Sequence, residues 1–361
     1  MQPRLFSLAA LAILGHASPT LRAPKCTDSI ASLTISATNF DLSSGTPPLN
    51  ATIPVSGTFD VHLRFCEPTV SVPSRAGTLQ ILVHGATYGA DYMDAGFEPG
   101  IYSYVRYAAA HGYATLNMDR IGYGASDHPD PIGTMQTPFD VAALADIVRL
   151  ARAGRISGAR RSFHTIVAVG HSLGSFVLNG LVAAEPQLVN VVVLTGYSHT
   201  FADIDIPALA GFGPANLIGP ARLGGLASSY LTTANASARA AAFYGPEGSF
   251  DPAALAFDES EKITVALGEF LTAATSIVAS KFTGYVLTVN GEDDLLYCIE
   301  PACANLKGEA QYYPSAKSVD YGELASLTVA VIKNAGHSVN FHLAAPDLYA
   351  NIHAWLSKHG Y

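Results

Sequence analysis

A pentapeptide in the middle of the chain has the residue types and spacing of a serine nucleophile: Gly170, His171, Ser172, Leu173 and Gly174. It follows the apolar run Thr165–Val169, which predicts a strand, and precedes residues 175–184, which predict a helix. A serine on such a tight turn needs small neighbours two positions away on either side. The turn would expose the Ser172 hydroxyl, and the N–H of Leu173 at the helix start would face a developing oxyanion. The pattern predicts nucleophilic chemistry at Ser172.

The elements that must position this serine are short apolar runs separated by helical patterns. The predicted strands are Leu79–Val83, Ala114–Met118, Thr165–Val169, Val191–Leu194, Tyr285–Val289 and Leu327–Ile332. The clearest helix is Asp140–Arg152, with Asp140 placed to cap its start. Apolar strands alternating with helices predict an α/β fold, with a mostly parallel central sheet covered by helices on both faces.

The alternation of strands and helices is interrupted between residues 199 and 283, where Ala, Gly and Leu dominate. Large apolar residues scattered through this stretch indicate burial, so we interpret it as an inserted helical cap. The predicted organisation is a signal peptide (1–17), an N-terminal extension (18–56), a core in two parts (57–198 and 284–361) and the cap (199–283) between them.

The N-terminus has the pattern of a secretory signal peptide. Arg4 precedes the apolar run Leu5–Leu14, which is too short to span a bilayer, and small residues at Gly15 and Ala17 place the cleavage after Ala17. No later run is long enough for a transmembrane helix, so we expect a secreted protein without a membrane span.

Four cysteines in an exported chain predict two disulfides. Of the three possible connectivities, proximity in sequence favours the one that pairs Cys298 with Cys303, which leaves Cys26 with Cys66. A zinc site is disfavoured because no pair has C-x-x-C spacing. Asn50 and Asn235 each begin an N-x-S/T triplet and are candidate glycosylation sites.

The charge balance excludes several kinds of partner. Only 14% of the 361 residues are charged, and the formal net charge is −9, so neither nucleic acid nor an anionic lipid surface is an expected partner. The oligomeric state cannot be predicted from the sequence.

With its serine elbow in this context, the sequence resembles the α/β-hydrolases, from residue 57 to the C-terminus. The resemblance is to the lid-bearing branch that includes esterases, lactonases, cofactor-free haloperoxidases and C–C hydrolases. Residues 82–87 resemble the His-Gly oxyanion loop of the family, which implies that the backbone N–H of Ala86 is a second oxyanion donor. Residues 119–126 match the family's D-x-x-G-x-G-x-S turn, which implies a structural role.

The resemblance also implies the base and the acid of a catalytic triad. Family members carry the histidine in a Gly-His loop after the final strand, which selects His337. Their acid falls three residues after a glycine such as Gly291, which selects Asp294. Asp293 is the second choice, and Asp203 is a third, since some relatives place the acid after the preceding strand. The chain order Ser172, Asp294, His337 agrees with that of the hydrolases.

Together these residues predict a secreted serine hydrolase without a metal or organic cofactor, acting through an acyl-enzyme on Ser172. A cap rich in apolar residues suggests an ester or lactone of a small-to-medium apolar molecule. Three alternatives stay open: acyl transfer to an alcohol, lyase or cyclase chemistry on the same triad, and a hydrolase-fold protein that only binds a ligand.

Overall fold

The computed structural model describes residues 21–44, 51–199, 211–273, 277–298, 310–320 and 331–361. The predicted signal peptide, Asn50, Asp203 and Cys303 lie outside these residues, as does most of the predicted strand Leu327–Ile332. No helix in the described part of the chain is long and apolar enough to cross a membrane.

In the described part of the chain, nine strands form a mostly parallel sheet at the centre of the molecule. Its strands are β1 (Cys26–Phe40), β2 (Thr52–Cys66), β3 (Thr78–Val83), β4 (Ala114–Met118), β5 (Thr165–His171), β6 (Val191–Thr195), β10 (Tyr285–Gly291), β11 (Ser318–Asp320) and β12 (Val331–Ile332). Their order is β1-β2-β4-β3-β5-β6-β10-β11, and β12 also pairs with β10. Among the described strands of this sheet, only the β1–β2 and β2–β4 pairs are antiparallel. Strands β3 to β6 are mostly apolar and almost entirely buried, as covered parallel strands require. The α/β prediction is confirmed.

Helices connect the strands and cover the sheet. They are α1 (Pro99–Tyr102), α2 (Tyr104–Ala110), α3 (Thr137–Arg152), α4 (Leu173–Ala184), α5 (Ala215–Ile218), α6 (Ala236–Phe243), α7 (Pro252–Glu261), α8 (Leu267–Ala273) and α9 (Ala345–Lys358). Helix α3 starts three residues earlier than predicted, with Pro138 in its first turn, where proline is favoured. Asp140 therefore does not cap this helix. It is buried and forms an ion pair with Arg120.

The N-terminal segment 18–56 was expected to be an extension, but its described residues contribute to the sheet. β1 pairs with β2 along its whole length, and the predicted boundary at residue 56 falls inside β2. The outward face of β1 carries small hydroxyl residues, which are typical of loops, and this makes the strand difficult to recognise in the sequence. Leu33 and Ile35 on the inward face are buried. The predicted disulfide Cys26–Cys66 is confirmed at the open end of this hairpin. Cys298 is also disulfide-bonded.

The inserted segment is not purely helical. Its described part contains helices α5 to α8 and a small antiparallel sheet in the order β7-β8-β9: β7 (Phe212–Pro214), β8 (Tyr230–Thr233) and β9 (Val265–Ala266). These strands are two to four residues long, too short for a period-two pattern to be recognised in the sequence. We keep the name cap for residues 211–273.

Candidate active site

Ser172 lies on the tight turn between β5 and α4. Its backbone has φ 51° and ψ −121°, a strained conformation for a residue with a side chain. A Cβ on Gly174 would lie 2.3 Å from the carbonyl oxygen of Val83, and one on Gly170 would lie 2.9 Å from the backbone of Ser175. Both glycines are therefore required by crowding, as the spacing predicted. The Ser172 side chain is 7% exposed, so it is nearly covered.

His337 lies in the loop after β12, just before a short 3₁₀ helix at Val339–Phe341. Its Nδ1 is 2.9 Å from Oδ2 of Asp294, and both side chains are buried. The buried Nε2 of His337 has no hydrogen-bond partner among the described residues. Asp294 thus holds the His337 ring through Nδ1, and Nε2 is available to accept a proton.

Asp294 is oriented by the turn that follows β10. Its Oδ1 accepts hydrogen bonds from the backbone N–H groups of Leu296 (2.9 Å) and Tyr297 (3.1 Å). Oδ2 is left to face His337. The neighbouring Asp293 is partly exposed and its backbone N–H donates to the carbonyl of Ala335. The structure therefore brings Asp294 to the histidine and leaves Asp293 at the surface.

His342 fixes the loop on either side of His337. Its Nε2 accepts hydrogen bonds from the backbone N–H groups of Gly245 (2.9 Å) and Gly336 (3.0 Å), and its Nδ1 donates to the carbonyl of Ser338 (2.8 Å). Burial lowers the pKa of His342 to about 4, so the ring is neutral and can accept at Nε2.

The serine turn, the histidine loop and the predicted oxyanion loop converge. A Cβ on Gly196 would lie 2.8 Å from Cε1 of both His171 and His337. A Cβ on Gly85 would lie 2.9 Å from Cβ of Ser172, so residues 84–87 pass directly against the serine. The N–H of Leu173, the first residue of α4, has no acceptor within its helix. Neither it nor the N–H of Ala86 has a hydrogen-bond acceptor among the described residues.

The other histidines near this point are structural. His84 accepts a hydrogen bond from the backbone N–H of Arg120 (3.0 Å) and donates to the carbonyl of Gly85 (2.9 Å). Burial lowers its pKa to about 3. His171 stacks on Tyr92 with ring centroids 4.2 Å apart, and burial holds its pKa well below the usual value. Both rings are therefore neutral packing and positioning groups.

The turn at residues 119–126 shapes the edge of the sheet. Asp119 accepts hydrogen bonds from the backbone N–H groups of Ala90 (2.8 Å) and Ala125 (3.0 Å), and from Nδ1 of His62. Burial alone would raise the pKa of Asp119, but these hydrogen bonds outweigh it and lower the pKa. A Cβ on Gly124 would lie 2.4 Å from this carboxylate, which explains the glycine.

Aromatic side chains surround the histidine. The rings of Tyr297 and Phe243 lie 5.5 Å and 5.6 Å from the ring of His337, centroid to centroid, and Phe176 lies 6.2 Å from Tyr297. Among the described residues, no group of three or more His, Cys, Asp or Glu side chains could hold a metal ion.

Four buried polar residues that connect the cap to this site were not predicted from the sequence: Tyr88, Arg239, Tyr244 and Asp258. One signal was present. Arg239 is the only charged residue in the run Ala236–Phe243, and a charge that is buried together with such a helix requires a polar partner.

The sheet order, the strained serine and the buried histidine–aspartate pair together define the α/β-hydrolase class. The sequence model described as the alpha/beta hydrolase family matches residues 80–352, and the chain belongs to that family. No curated protein sequence is significantly similar to the chain.

Solved structures share the fold at low sequence identity. A thermophilic esterase from Thermogutta terrifontis is 15% identical with a TM-score of 0.55, over 91% of this chain and 98% of that one. A lipase, described as putative, from Acinetobacter baumannii is 16% identical with a TM-score of 0.53, over 82% and 88%. An enol-lactonase from Burkholderia xenovorans is 14% identical with a TM-score of 0.53, over 83% and 97%.

Proposed function

We propose that the protein is a secreted serine hydrolase that cleaves an ester or lactone of a small-to-medium apolar molecule through an acyl-enzyme on Ser172. The observation that carries the proposal is the buried pair His337 Nδ1–Asp294 Oδ2 at 2.9 Å, beside the strained Ser172 turn. The esterase and lactonase activities named for the similar structures agree with it.

The first half of the reaction forms the acyl-enzyme. Ser172 Oγ attacks the carbonyl carbon while its proton passes to Nε2 of His337, and Asp294 stabilises the imidazolium that results. The charge on the carbonyl oxygen is held by the backbone N–H groups of Ala86 and Leu173. The tetrahedral intermediate then expels the alkoxide, which takes the proton from His337. From a lactone, the alcohol stays attached to the acyl chain.

The second half returns the enzyme to its starting state. A water molecule gives a proton to His337 and attacks the acyl carbon, and the same two N–H groups hold the second oxyanion. Collapse releases the carboxylic acid and returns the proton to Ser172. No other group has to change its protonation state in this scheme.

The aromatic side chains near His337 support an apolar substrate. The rings of Tyr297 and Phe243 lie beside His337, and Phe176 packs against Tyr297. Aromatic surroundings of this kind favour apolar ligands that a few polar groups orient. Secretion is supported by the N-terminal sequence pattern and by the Cys26–Cys66 disulfide, which is stable in an oxidising compartment.

The experiment that tests this function is intact-mass analysis after exposure of the purified mature protein to a small fluorophosphonate. We expect one adduct on the wild-type protein and none on Ser172→Ala, because only an activated serine reacts at useful speed. The mass before labelling also shows whether residues 1–17 have been removed. A folded wild-type protein that stays unmodified would contradict the proposal and favour a protein that only binds a ligand.

A panel of esters and lactones, assayed with and without added alcohols, then separates the remaining chemistries. Hydrolysis predicts free acid in both cases, whereas acyl transfer predicts that the alcohol takes over most of the acyl group. Lyase or cyclase chemistry predicts turnover without any trapped acyl-enzyme.

A further inference from the structure

The cap fixes the backbone immediately after the proposed oxyanion donor Ala86. The N–H of Thr87 donates to the carbonyl of Thr264 (2.9 Å), and the carbonyl of Thr87 accepts from the N–H of Ile263 (3.0 Å). Thr87 has φ 60°, a conformation that costs free energy for a β-branched residue. This backbone therefore depends on the cap to hold it.

A buried arginine of helix α6 makes the side-chain part of this connection. Arg239 has no exposed surface. Its Nη1 donates to Oγ1 of Thr87 (3.0 Å), and its Nη2 donates to Oδ1 of Asp258 on α7 (2.7 Å). The guanidinium carbon lies 4.4 Å from the centroid of the Tyr88 ring. The Arg239 side chain thus contacts both Thr87 and Tyr88, the two residues that follow Ala86.

The same cluster reaches the loop of the proposed base. Tyr88 Oη forms a hydrogen bond with Oγ of Ser338, the residue after His337. Tyr244 Oη donates to Oδ2 of Asp258 (2.8 Å), so both carboxylate oxygens are engaged. The Arg239–Asp258 pair therefore connects the oxyanion loop, the cap and the histidine loop.

Stability alone does not account for an arginine at this position. The desolvation of two buried charges costs about as much free energy as their attraction returns, so proteins with apolar residues in place of such a pair are often equally stable. The arginine instead contributes geometry, because its planar guanidinium holds Thr87 and Asp258 at defined angles. Because Asp258 neutralises the charge, the effect on the active site is on position rather than on net field.

We propose that Arg239 is a positioning residue that holds the Ala86 N–H in place for the oxyanion. The proposal rests on the proposed function. Oxyanion donors act only when they lie at hydrogen-bond distance from the charged oxygen, and loss of one costs about 10²- to 10³-fold in kcat. We expect Arg239→Met to lower kcat by about 10²-fold, with KM changed less than about threefold, because Arg239 contacts the loop and not the substrate.

The test measures kcat and KM per active site, with sites counted by fluorophosphonate labelling. A trifluoromethyl ketone, which forms an oxyanion on the serine, is compared with an amide of the same shape, which does not. In Arg239→Met the affinity for the ketone should fall in parallel with kcat, and that for the amide should not. Arg239→Lys should recover part of the loss, since an ammonium can reach Thr87 or Asp258 but lacks the fork.

The matched control is Glu269→Gln on helix α8. Glu269 is fully buried, and its Oε1 is 2.7 Å from Nη1 of Arg120, so this variant breaks a buried pair between cap and core of the same kind. Among the described residues, the Glu269 side chain forms hydrogen bonds with Arg120, Tyr123 and the backbone N–H of Ala266, and none with Thr87 or Tyr88. We expect it to lose thermal stability while keeping kcat per labelled site and the affinity for the ketone.

Thr87→Val tests the same contact without changing the arginine, because it removes Oγ1 and keeps the branched shape, with Thr87→Ser as its control. If Arg239→Met does not fold, this pair decides the question. Normal kcat and ketone affinity in the folded Arg239 variants or in Thr87→Val, or an equal loss in Glu269→Gln, would overturn the inference. A wild-type protein that neither labels nor turns over esters would instead overturn the proposed function.

Discussion

At the scale of single residues, two adjacent aspartates follow β10 and have different environments. Asp294 is buried, with Oδ1 fixed by two backbone N–H groups and Oδ2 beside His337. Asp293 is partly exposed, and burial together with the nearby Glu292 raises its pKa. The sequence placed the acid in this pair through the family's spacing. The direction of the turn, which buries one carboxylate and not the other, separates them.

The first prediction at this scale concerns Asp294→Asn. In the proposed mechanism the amide would hold His337 in the wrong tautomer and could not stabilise the imidazolium, so kcat should fall by about 10⁴-fold. Steady-state kinetics on the best ester of the panel measures it. Asp293→Asn is the matched control and should keep kcat within about threefold. A large loss in Asp293→Asn with little in Asp294→Asn would reverse the assignment.

At the scale of elements, the hairpin of β1 and β2 is the part of the sheet that the sequence pattern did not predict in full. Its middle packs on α3 through an edge-to-face contact of Phe59 with Phe139, with the ring centroids 5.2 Å apart. Asn39 Nδ2 donates to the carbonyls of Gly133 (2.8 Å) and Thr134 (2.9 Å) in the segment before that helix. The hairpin is thus held by packing at its middle, by the hydrogen bonds of Asn39 near its turn and by Cys26–Cys66 at its open end.

Removal of this disulfide tests its contribution. Cys26 and Cys66 are 40 residues apart, so the chain-entropy model predicts a loss of about 4 kcal/mol in the free energy of unfolding for the Cys26→Ser/Cys66→Ser variant. Urea denaturation measures it. Strands β4 and β3 lie between the hairpin and β5, which leads into the Ser172 turn, so kcat at 25 °C should not change. An unchanged midpoint would show that packing on α3 alone holds the hairpin.

At the scale of the whole molecule, several buried histidines make the fold sensitive to acid. Burial lowers the pKa of His84, His128, His171, His342 and His353. The unfolded chain binds protons on these residues below about pH 6.5, while the folded protein does not. Their contribution to stability is therefore complete above about pH 6.5 and is lost as the pH falls.

Some groups act in the opposite direction. Burial raises the pKa of Asp91 to about 6 and that of Asp140 well above its usual range, and the hydrogen bond to Asp119 raises the pKa of His62. These groups stabilise the folded protein at lower pH. The five histidines outnumber them, so we expect the melting temperature to fall between about pH 6.5 and pH 4.

His353 gives this prediction a test at one position. Its ring is buried against Tyr104, Tyr107 and Tyr113, and neither ring nitrogen has a hydrogen-bond partner among the described residues. His353→Phe keeps an aromatic ring in the same place and removes an imidazole that must be neutral in the folded protein. The free energy of unfolding should therefore be equal or higher at pH 7, and it should fall less steeply below pH 6.5.

The measurement is the free energy of unfolding by urea at several pH values from 4 to 7.5. His164→Gln, at an exposed position, is the control and should leave the slope unchanged. A slope for His353→Phe identical to that of the wild type would show that His353 is not part of the acid sensitivity.

The sequence by itself determined the fold class and the serine turn. Both follow from local constraints: continuous apolar strands require a covered parallel sheet, and Ser172 between two glycines requires a tight turn. The Cys26–Cys66 pairing followed from sequence separation and is confirmed. Through the family's spacing, the sequence also led to Asp294 and His337, which the structure places 2.9 Å apart.

The tertiary structure decided what depends on residues distant in sequence. The hydroxyl-rich β1 becomes a strand only by pairing with β2, and the short strands of the cap form only against one another. The contact of Arg239 with Thr87 joins positions 152 residues apart. No local pattern carries such a contact, because the free energy of a buried charge depends on partners that only the folded chain brings to it.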